Sequence, residues 1–166
     1  MILASSPDDN EVRLYRTIKC NVKACTACDS CANNKGQCVL KDDMQAIYED
    51  IIHSDKLLFI TPVYFSGFPS SLKAIIDRCQ MFYNYPELKD TLPTKQAYIL
   101  AIGGSRPYPD QFTGIESSLR YLLRSINCRL EAKLYFTGTD SFNDRFDDDK
   151  IGLIRDFALK MFTKGE

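Results

Sequence analysis

The chain has 166 residues, of which 45% are hydrophobic and 26% charged, and its formal net charge is −1. This length suits one domain with a full core, so a single domain is predicted over residues 1–166. The near-zero charge without a basic block argues against nucleic acid or an anionic membrane as a partner. No apolar run approaches the roughly 20 residues of a membrane-spanning helix. The apolar residues 1–5 precede Asp8 and Asp9 and do not form a secretory signal.

Strand and helix patterns alternate along the chain. Residues 57–60 and 97–102 are continuous apolar runs, as expected for strands buried on both faces of a sheet. The alternation predicts an α/β fold with a parallel sheet and helices on both faces. Asp42 or Asp43 is expected to cap a helix in a capping box with Gln45, and Ser70 and Ser71 to cap the next one. The predicted strands are 1–5, 12–18, 57–60, 97–102 and 130–136, and the predicted helices are 44–54, 72–83, 115–126 and 151–162.

Four cysteines lie within fourteen residues. Cys25, Cys28 and Cys31 are each separated by two residues, and Cys38 follows after six more. Four thiolates can hold an iron–sulfur cluster, and compact runs of this kind are one of the known arrangements. Zinc sites more often consist of two C-x2-C pairs with a longer insert between them. The loop 20–39 is therefore interpreted as a four-iron cluster site, with zinc and unliganded thiols as the alternatives.

The other cysteines are Cys20, Cys79 and Cys128, and the odd total of seven does not suit a closed disulfide framework. Free thiols are typical of reducing compartments, so a cytoplasmic location is expected. Cys79 and Cys128 occur among apolar residues and are predicted to be small core side chains. The only histidine, His53, is expected at the surface near a helix end rather than in catalysis.

Three loops follow predicted strands, at the sheet edge where α/β proteins bind ligands. Their glycines and small hydroxyl residues leave backbone N–H groups free for phosphate and carbonyl oxygens, and their aromatic rings offer flat faces to a planar ring system. Each loop alone could be an ordinary turn. Three loops at one edge favour a cofactor site. The candidate cofactor-binding residues are Ser5, Ser6, Pro62, Val63, Tyr64, Phe65, Gly103, Gly104, Ser105 and Tyr108.

The cysteine motif, the segment 61–65 and the segment 72–78 together resemble the iron–sulfur flavoproteins, a branch of the NAD(P)H-dependent FMN reductases within the flavodoxin-like superfamily. The resemblance runs over about residues 12–136. It implies a three-layer flavodoxin-like sandwich with a parallel five-stranded sheet in the order 2-1-3-4-5. It also implies one FMN, and one [4Fe-4S] cluster near the flavin of a neighbouring subunit in a homodimer or homotetramer.

The resemblance also implies roles for particular residues. Cys25, Cys28, Cys31 and Cys38 would bind the cluster. Residues 62–65 would hold the flavin ring, and residues 103–105 would line its other side. Asp77 and Arg78 are expected to pair on their helix or at a subunit interface.

The N-terminus departs from the family pattern, which has a phosphate loop and a long first helix. Only residues 8–11 lie between Pro7 and Val12, whereas two parallel strands need a crossover of a dozen or more residues. Either the first strand is absent or rearranged, which would cripple the phosphate site, or residues are missing from the chain as given. The second alternative is favoured because residues 1–7 still look like the family's first strand and loop. An intact mass above the calculated one would support it.

The predicted function is an FMN-dependent oxidoreductase that passes electrons between a reduced donor, ferredoxin or NAD(P)H, and an acceptor through FMN and a [4Fe-4S] cluster. No side chain is assigned as a catalytic acid or base. The alternatives are an NAD(P)H-dependent FMN or quinone reductase without a cluster, and a flavodoxin-like binding module that has lost FMN. Ferredoxin, a nicotinamide, a quinone and oxygen are all candidates for the donor and acceptor.

Overall fold

The computed structural model describes residues 2–5, 12–141 and 146–162. None of the helices within these ranges is long and apolar enough to cross a membrane. The strands are β1 (Ile2–Ser5), β2 (Val12–Tyr15), β3 (Lys56–Pro62), β4 (Lys95–Ile102) and β5 (Cys128–Phe136). The helices are α1 (Ser30–Asn33), α2 (Met44–His53), α3 (Ser70–Arg78), α4 (Gln80–Asn84), α5 (Pro86–Thr91), α6 (Thr113–Ser125) and α7 (Asp148–Phe162), with 3-10 turns at Thr17–Lys19 and Thr139–Ser141.

The five strands form one sheet in the order β2-β1-β3-β4-β5. β3, β4 and β5 are parallel, but β1 runs antiparallel to both of its neighbours, with Ser5 opposite Val12 and opposite Lys56. The prediction of a fully parallel sheet is therefore wrong for β1. Only residues 6–11 join β1 to β2, which suffices for a hairpin but not for a parallel crossover. The structure thus has the rearranged first strand that the sequence left as one alternative.

Helices cover both faces of the sheet, as the sequence predicts. One face of β3 and β4, represented by Phe59 and Ile99, packs in a large core with α2, α3, α4 and α6. The other face, represented by Leu58 and Leu100, packs against Phe157 and Met161 of α7. The α/β class with its central parallel strands is confirmed. Three layers result, with a single helix on the second face among the residues that the structure describes.

Two helix starts differ in detail from the predicted caps. The Asp42 carboxylate accepts a hydrogen bond from the Met44 N–H at 3.1 Å, while the Gln45 side chain donates to the Leu40 carbonyl instead of completing a capping box. Ser70 and Ser71 lie inside α3, and Pro69 precedes the helix. The predicted helix 72–83 is divided at Cys79 into α3 and α4. After this division α4 packs on the cysteine loop, because it contacts α1, which lies within that loop.

Candidate functional site

All four cysteines of the compact motif line one cavity of about 300 Å³. Cys25, Cys28 and Cys31 reach it from the first part of the loop and Cys38 from its return. The opposite wall is formed by Arg78 at the end of α3 and by Asn84 at the end of α4. The structure therefore brings the four predicted ligands to a common space between the loop and the helices.

The loop reaches this arrangement through left-handed backbone conformations. Ala27 and Asp29, which flank Cys28, have φ angles of 51° and 54°, and Lys35 and Gly36 have 45° and 77°. A non-glycine residue pays about 1–2 kcal/mol in this region, so such a coil persists only where its surroundings fix it. Gly36 packs closely against Tyr85, which directly follows α4. A Cβ at this position would lie only 2.9 Å from Cδ1 of Tyr85.

A buried ion pair joins the two ends of the cysteine loop. The Arg78 guanidinium donates to the Asp42 carboxylate at 2.8 Å, and both side chains are almost completely buried. Asp42 also accepts the Lys23 N–H at 2.9 Å, while Arg78 donates to the carbonyls of Lys23 and Leu40. Burial acts to raise the pKa of Asp42, but these hydrogen bonds outweigh it and hold the pKa below its usual value. The pair ties residue 23 to residues 40–42, so the loop between them is held at both ends.

The sequence led us to expect that Asp77 and Arg78 pair on their helix, but in the structure each has a different partner. Asp77 pairs with Lys73 at 2.5 Å on the exposed side of α3. The partner of Arg78 is 36 residues earlier in the chain. Local sequence offers no signal for such a contact, because it depends on how α3 packs on the loop.

The four thiols do not converge as ligands of a single ion would. Within the described ranges, no three His, Cys, Asp or Glu side chains stand close enough to hold one metal ion. This finding concerns a single ion, whereas the sequence predicts a four-iron cluster. In a four-iron cluster each thiolate binds a different iron, so its ligands surround a larger group than one ion. A cavity lined by all four motif cysteines, with N–H donors in its wall, fits such a group.

Two hydrogen bonds act on the thiols themselves. The Ser30 hydroxyl lies 3.3 Å from Sγ of Cys28 and lowers the pKa of that thiol, which favours the thiolate that binds metal. The Asn84 amide donates to Sγ of Cys31 at 3.4 Å. Asn84 was not found by sequence reasoning, because the contact spans 53 residues.

The other cysteines lie elsewhere. Cys79 is buried in the large core and Cys128 is half-buried against it, which confirms the prediction for both. Burial raises the pKa of each of these two thiols to about 12, so both are protonated and inert at neutral pH. Cys20 follows the first 3-10 turn and donates to the Arg16 carbonyl. His53 is exposed in the last turn of α2, as expected.

The loops after β3 and β4 meet at the carboxyl edge of the sheet. Tyr64 and Gly67 exchange two backbone hydrogen bonds around Phe65 and Ser66, which both have positive φ angles of 49° and 58°. This tight turn leaves the Phe65 ring fully exposed and Tyr64 59% exposed. The Ser66 hydroxyl lies 3.1 Å from the hydroxyl of Tyr108, itself 43% exposed. Three aromatic rings are therefore held at one edge with accessible surface.

The backbone beneath these rings is closely packed. The Val63 N–H donates a hydrogen bond to the Ile102 carbonyl. A Cβ at Gly114 would overlap the carbonyl oxygen of Ser66, so α6 supports the turn directly. A Cβ at Gly103 would likewise overlap the side chain of Gln111. Glycine is thus required at Gly114, where α6 meets the backbone of the turn, whereas at Gly103 the obstructing atom is the end of the flexible Gln111 side chain.

Sequence reasoning missed a third segment at this edge, the turn after β5. The backbone N–H of Gly138 donates to the Ser105 carbonyl at 2.7 Å, and the backbone N–H of Asp140 donates to the Gly104 carbonyl at 3.0 Å. The Asp140 carboxylate also occupies the space beside Gly104. The run Thr137-Gly138-Thr139 directly after a strand was the available signal for this loop.

Ser5 does not join the other candidate residues. It lies opposite Lys56, the first residue of β3, whereas the aromatic turn follows Pro62 at the other end of that strand. At roughly 3.3 Å per residue the two ends are on the order of 20 Å apart. Ser6 lies outside the described residues. The ring contacts of a flavin site fit this structure, but Ser5 is not at this edge and cannot contribute to a phosphate grip there.

Comparisons with known proteins agree on one family and one fold. A family model described as NADPH-dependent FMN reductase matches residues 10–111, more than half of the chain. An iron–sulfur flavoprotein of Methanocaldococcus jannaschii is 33% identical over 97 residues, which are 58% of this chain and 48% of that protein. An iron–sulfur flavoprotein of Methanosarcina thermophila is 35% identical over 85 residues, 51% of this chain and 42% of that protein. The chain spans about half the length of these curated relatives.

Among solved structures, an NAD(P)H:quinone oxidoreductase from Methanothermobacter marburgensis superposes with a TM-score of 0.50 at 21% identity. The match covers 81% of this chain and 69% of that one. At this identity the likeness shows the fold alone.

Proposed function

This chain belongs to the NADPH-dependent FMN reductase family, and we infer that it is a flavin-dependent oxidoreductase that pairs FMN with a [4Fe-4S] cluster. Cys25, Cys28, Cys31 and Cys38 would hold the cluster. The names of several relatives, iron–sulfur flavoproteins, support this pairing.

The observation that carries the proposal is the shared cavity of the four motif cysteines. The three remaining cysteines lie outside it. The Asp42–Arg78 ion pair holds the two ends of the loop together, and the Ser30 hydroxyl favours the thiolate form of Cys28. Each of these features supports a loop whose purpose is to hold an anionic inorganic group.

At the carboxyl edge of the sheet, the chain's own residues would bind and orient the flavin ring. Tyr64, Phe65 and Tyr108 would cover it, with the backbone of residues 62–65 on one side and of residues 103–105 on the other. Bound FMN supplies two-electron exchange with a donor such as NAD(P)H and one-electron exchange with a cluster. The residues at the edge supply position and exclude water, and none is required as a strong acid or base.

The exposed aromatic rings also suggest how the chain assembles. Phe65, Tyr64 and Tyr108 expose aromatic surface together at one edge, and an apolar patch of this kind is typical of a surface that a partner or ligand covers. We therefore expect a homodimer or homotetramer, with ferredoxin or a nicotinamide as electron donor.

The test is anaerobic reconstitution of the full chain with iron and sulfide, followed by measurement of iron, acid-labile sulfide and bound flavin. About four irons per chain are expected. Cys28→Ser should lose the cluster, whereas Cys20→Ser, which changes a cysteine outside the cavity, should keep it. Stoichiometric zinc, or no metal in any of the proteins, would contradict the proposal.

A second candidate is an FMN or quinone reductase without a cluster. It is favoured by one observation, the matching family model, whose description names an FMN reductase and no cluster. The same experiment separates the two, because the second candidate gives bound flavin without iron. A chain that binds neither would be the third alternative, a binding module that has lost FMN.

A further inference from the structure

The cavity wall opposite the cysteine loop carries an amide aimed at one sulfur. Nδ2 of Asn84 lies 3.4 Å from Sγ of Cys31. The other end of this amide is occupied, because its Oδ1 accepts a hydrogen bond from Gln80 one turn earlier at 3.1 Å. Gln80 therefore fixes the orientation of the amide, and its NH₂ group is the end that faces the thiol.

Arg78 is a second polar residue in the wall of this cavity. Its side chain is 1% exposed and lines the cavity, and its terminal nitrogens donate to Asp42, Lys23 and Leu40. Its Nε–H is buried without a hydrogen-bond partner among the described residues. Unpaired buried N–H groups are rare in folded proteins. Asn84 and Arg78 thus both contribute polar side chains to the wall of the same cavity.

We propose that Asn84 is a positioning residue for the iron–sulfur cluster, donating a hydrogen bond to the Cys31 thiolate and thereby raising the cluster's reduction potential. The inference rests on the proposed function, because it requires the cluster to be bound. A cluster gains negative charge when it accepts an electron, and an N–H donor to a ligand sulfur stabilises that added charge. Hydrogen bonds to the sulfurs are among the factors that set cluster potentials.

The experiment measures the midpoint potential of the reconstituted full chain by a redox titration followed by electron paramagnetic resonance. Asn84→Ala should keep about four irons per chain and shift the potential to a more negative value. Asn84→Asp, which places a carboxylate beside the sulfur, should shift it further in the same direction. Asn33→Ala is the matched control, because the Asn33 amide donates to the Asp29 carbonyl and to no sulfur. Its potential should equal that of the unaltered protein.

Each other outcome overturns the proposal in a recognisable way. Full iron content with an unchanged potential in Asn84→Ala shows that the hydrogen bond has no influence on the cluster. A loss of iron with an unshifted potential in the clusters that remain shows a merely structural role. If the unaltered chain takes up no iron, the proposed function fails and this inference with it. Thermal unfolding of each variant separates these results from a failure to fold.

Discussion

At the scale of single residues, Gly36 is the position where the cysteine loop tolerates least change. Its φ of +77° is left-handed, and a Cβ would lie 2.9 Å from the Tyr85 ring. Gly36→Ala should lower the free energy of unfolding by about 1–2 kcal/mol and reduce iron uptake, because the loop must move away from α4. Urea unfolding and iron analysis measure both effects.

Gly152→Ala is the control for this prediction. Gly152 lies in α7 with open space around its Cα. Alanine there should stabilise the chain by up to about 1 kcal/mol through helix propensity. Equal stability of the two variants would show that Gly36 is not constrained.

The Asp42–Arg78 pair predicts a dependence of stability on pH. The pKa of Asp42 is lowered from its ordinary value of 3.8, so its contribution to stability is full above that pH and is lost as the pH falls through the lowered value. At neutral pH Asp42→Asn should destabilise the chain by about 3–5 kcal/mol, because it leaves the Arg78 charge buried without its partner. Below pH 4 the free energies of unfolding of Asp42→Asn and of the unaltered chain should become more alike.

Urea unfolding at pH 7 and at pH 3 measures this difference. Glu49→Gln serves as the control, because Glu49 is exposed and its ion pair with His53 is long, at 3.8 Å. Its stability should follow that of the unaltered protein at both pH values. A constant gap between Asp42→Asn and the unaltered chain across this range would refute the assignment.

At the scale of elements, α6 supports the aromatic turn. A Cβ on Gly114 would overlap the Ser66 carbonyl oxygen, so Gly114→Ala should displace the turn that carries Tyr64 and Phe65. We expect flavin affinity to fall about tenfold, equivalent to about 1.4 kcal/mol, without a loss of folding. Fluorescence titration with FMN measures this. Arg120→Ala on the exposed side of the same helix should bind FMN as the unaltered chain does, and an equal affinity in Gly114→Ala would contradict the role of the turn.

At the scale of the whole molecule, the reversal of β1 predicts an unusual flavin preference. Ser5 lies at the end of the sheet opposite the aromatic turn, so Ser5 is not in place to bind the phosphate of a flavin bound there. FMN and riboflavin should therefore bind with affinities that agree within about threefold. A charge-assisted hydrogen bond to phosphate is worth about 1.5–3 kcal/mol, so a gripped phosphate would instead give a preference of about tenfold or more. Parallel titrations with the two flavins decide between these outcomes.

The reversal also affects the sheet's second face. Val12 and Leu14 of β2 are about half exposed, and α7 is the helix that packs on this side. In the family pattern a crossover helix between the first two strands would precede β2, but the connection 6–11 is too short for a parallel crossover. The short connection thus accounts both for the strand direction and for the exposed apolar side chains.

Much of the molecule could be predicted from the sequence because the signals are local. Apolar runs predict β3 and β4, and helical spacing predicts α2 and α6, since periodicity records which face of an element is buried. The cysteine spacing predicts one shared cavity because three of the four cysteines lie on a single short loop. The direction of β1 was not predicted correctly, although the short connection to Val12 pointed to a rearrangement.

The sequence by itself determined the α/β class, the grouping of four cysteines on one loop and the aromatic loops after β3 and β4. Only the tertiary structure decided which side chains complete the sites. Arg78 meets Asp42 across 36 residues and Asn84 meets Cys31 across 53, and such contacts depend on how α3 and α4 pack against the loop. The position of Ser5 depends likewise on strand pairing. Sequence patterns report burial along one element, whereas these contacts arise from the arrangement of several.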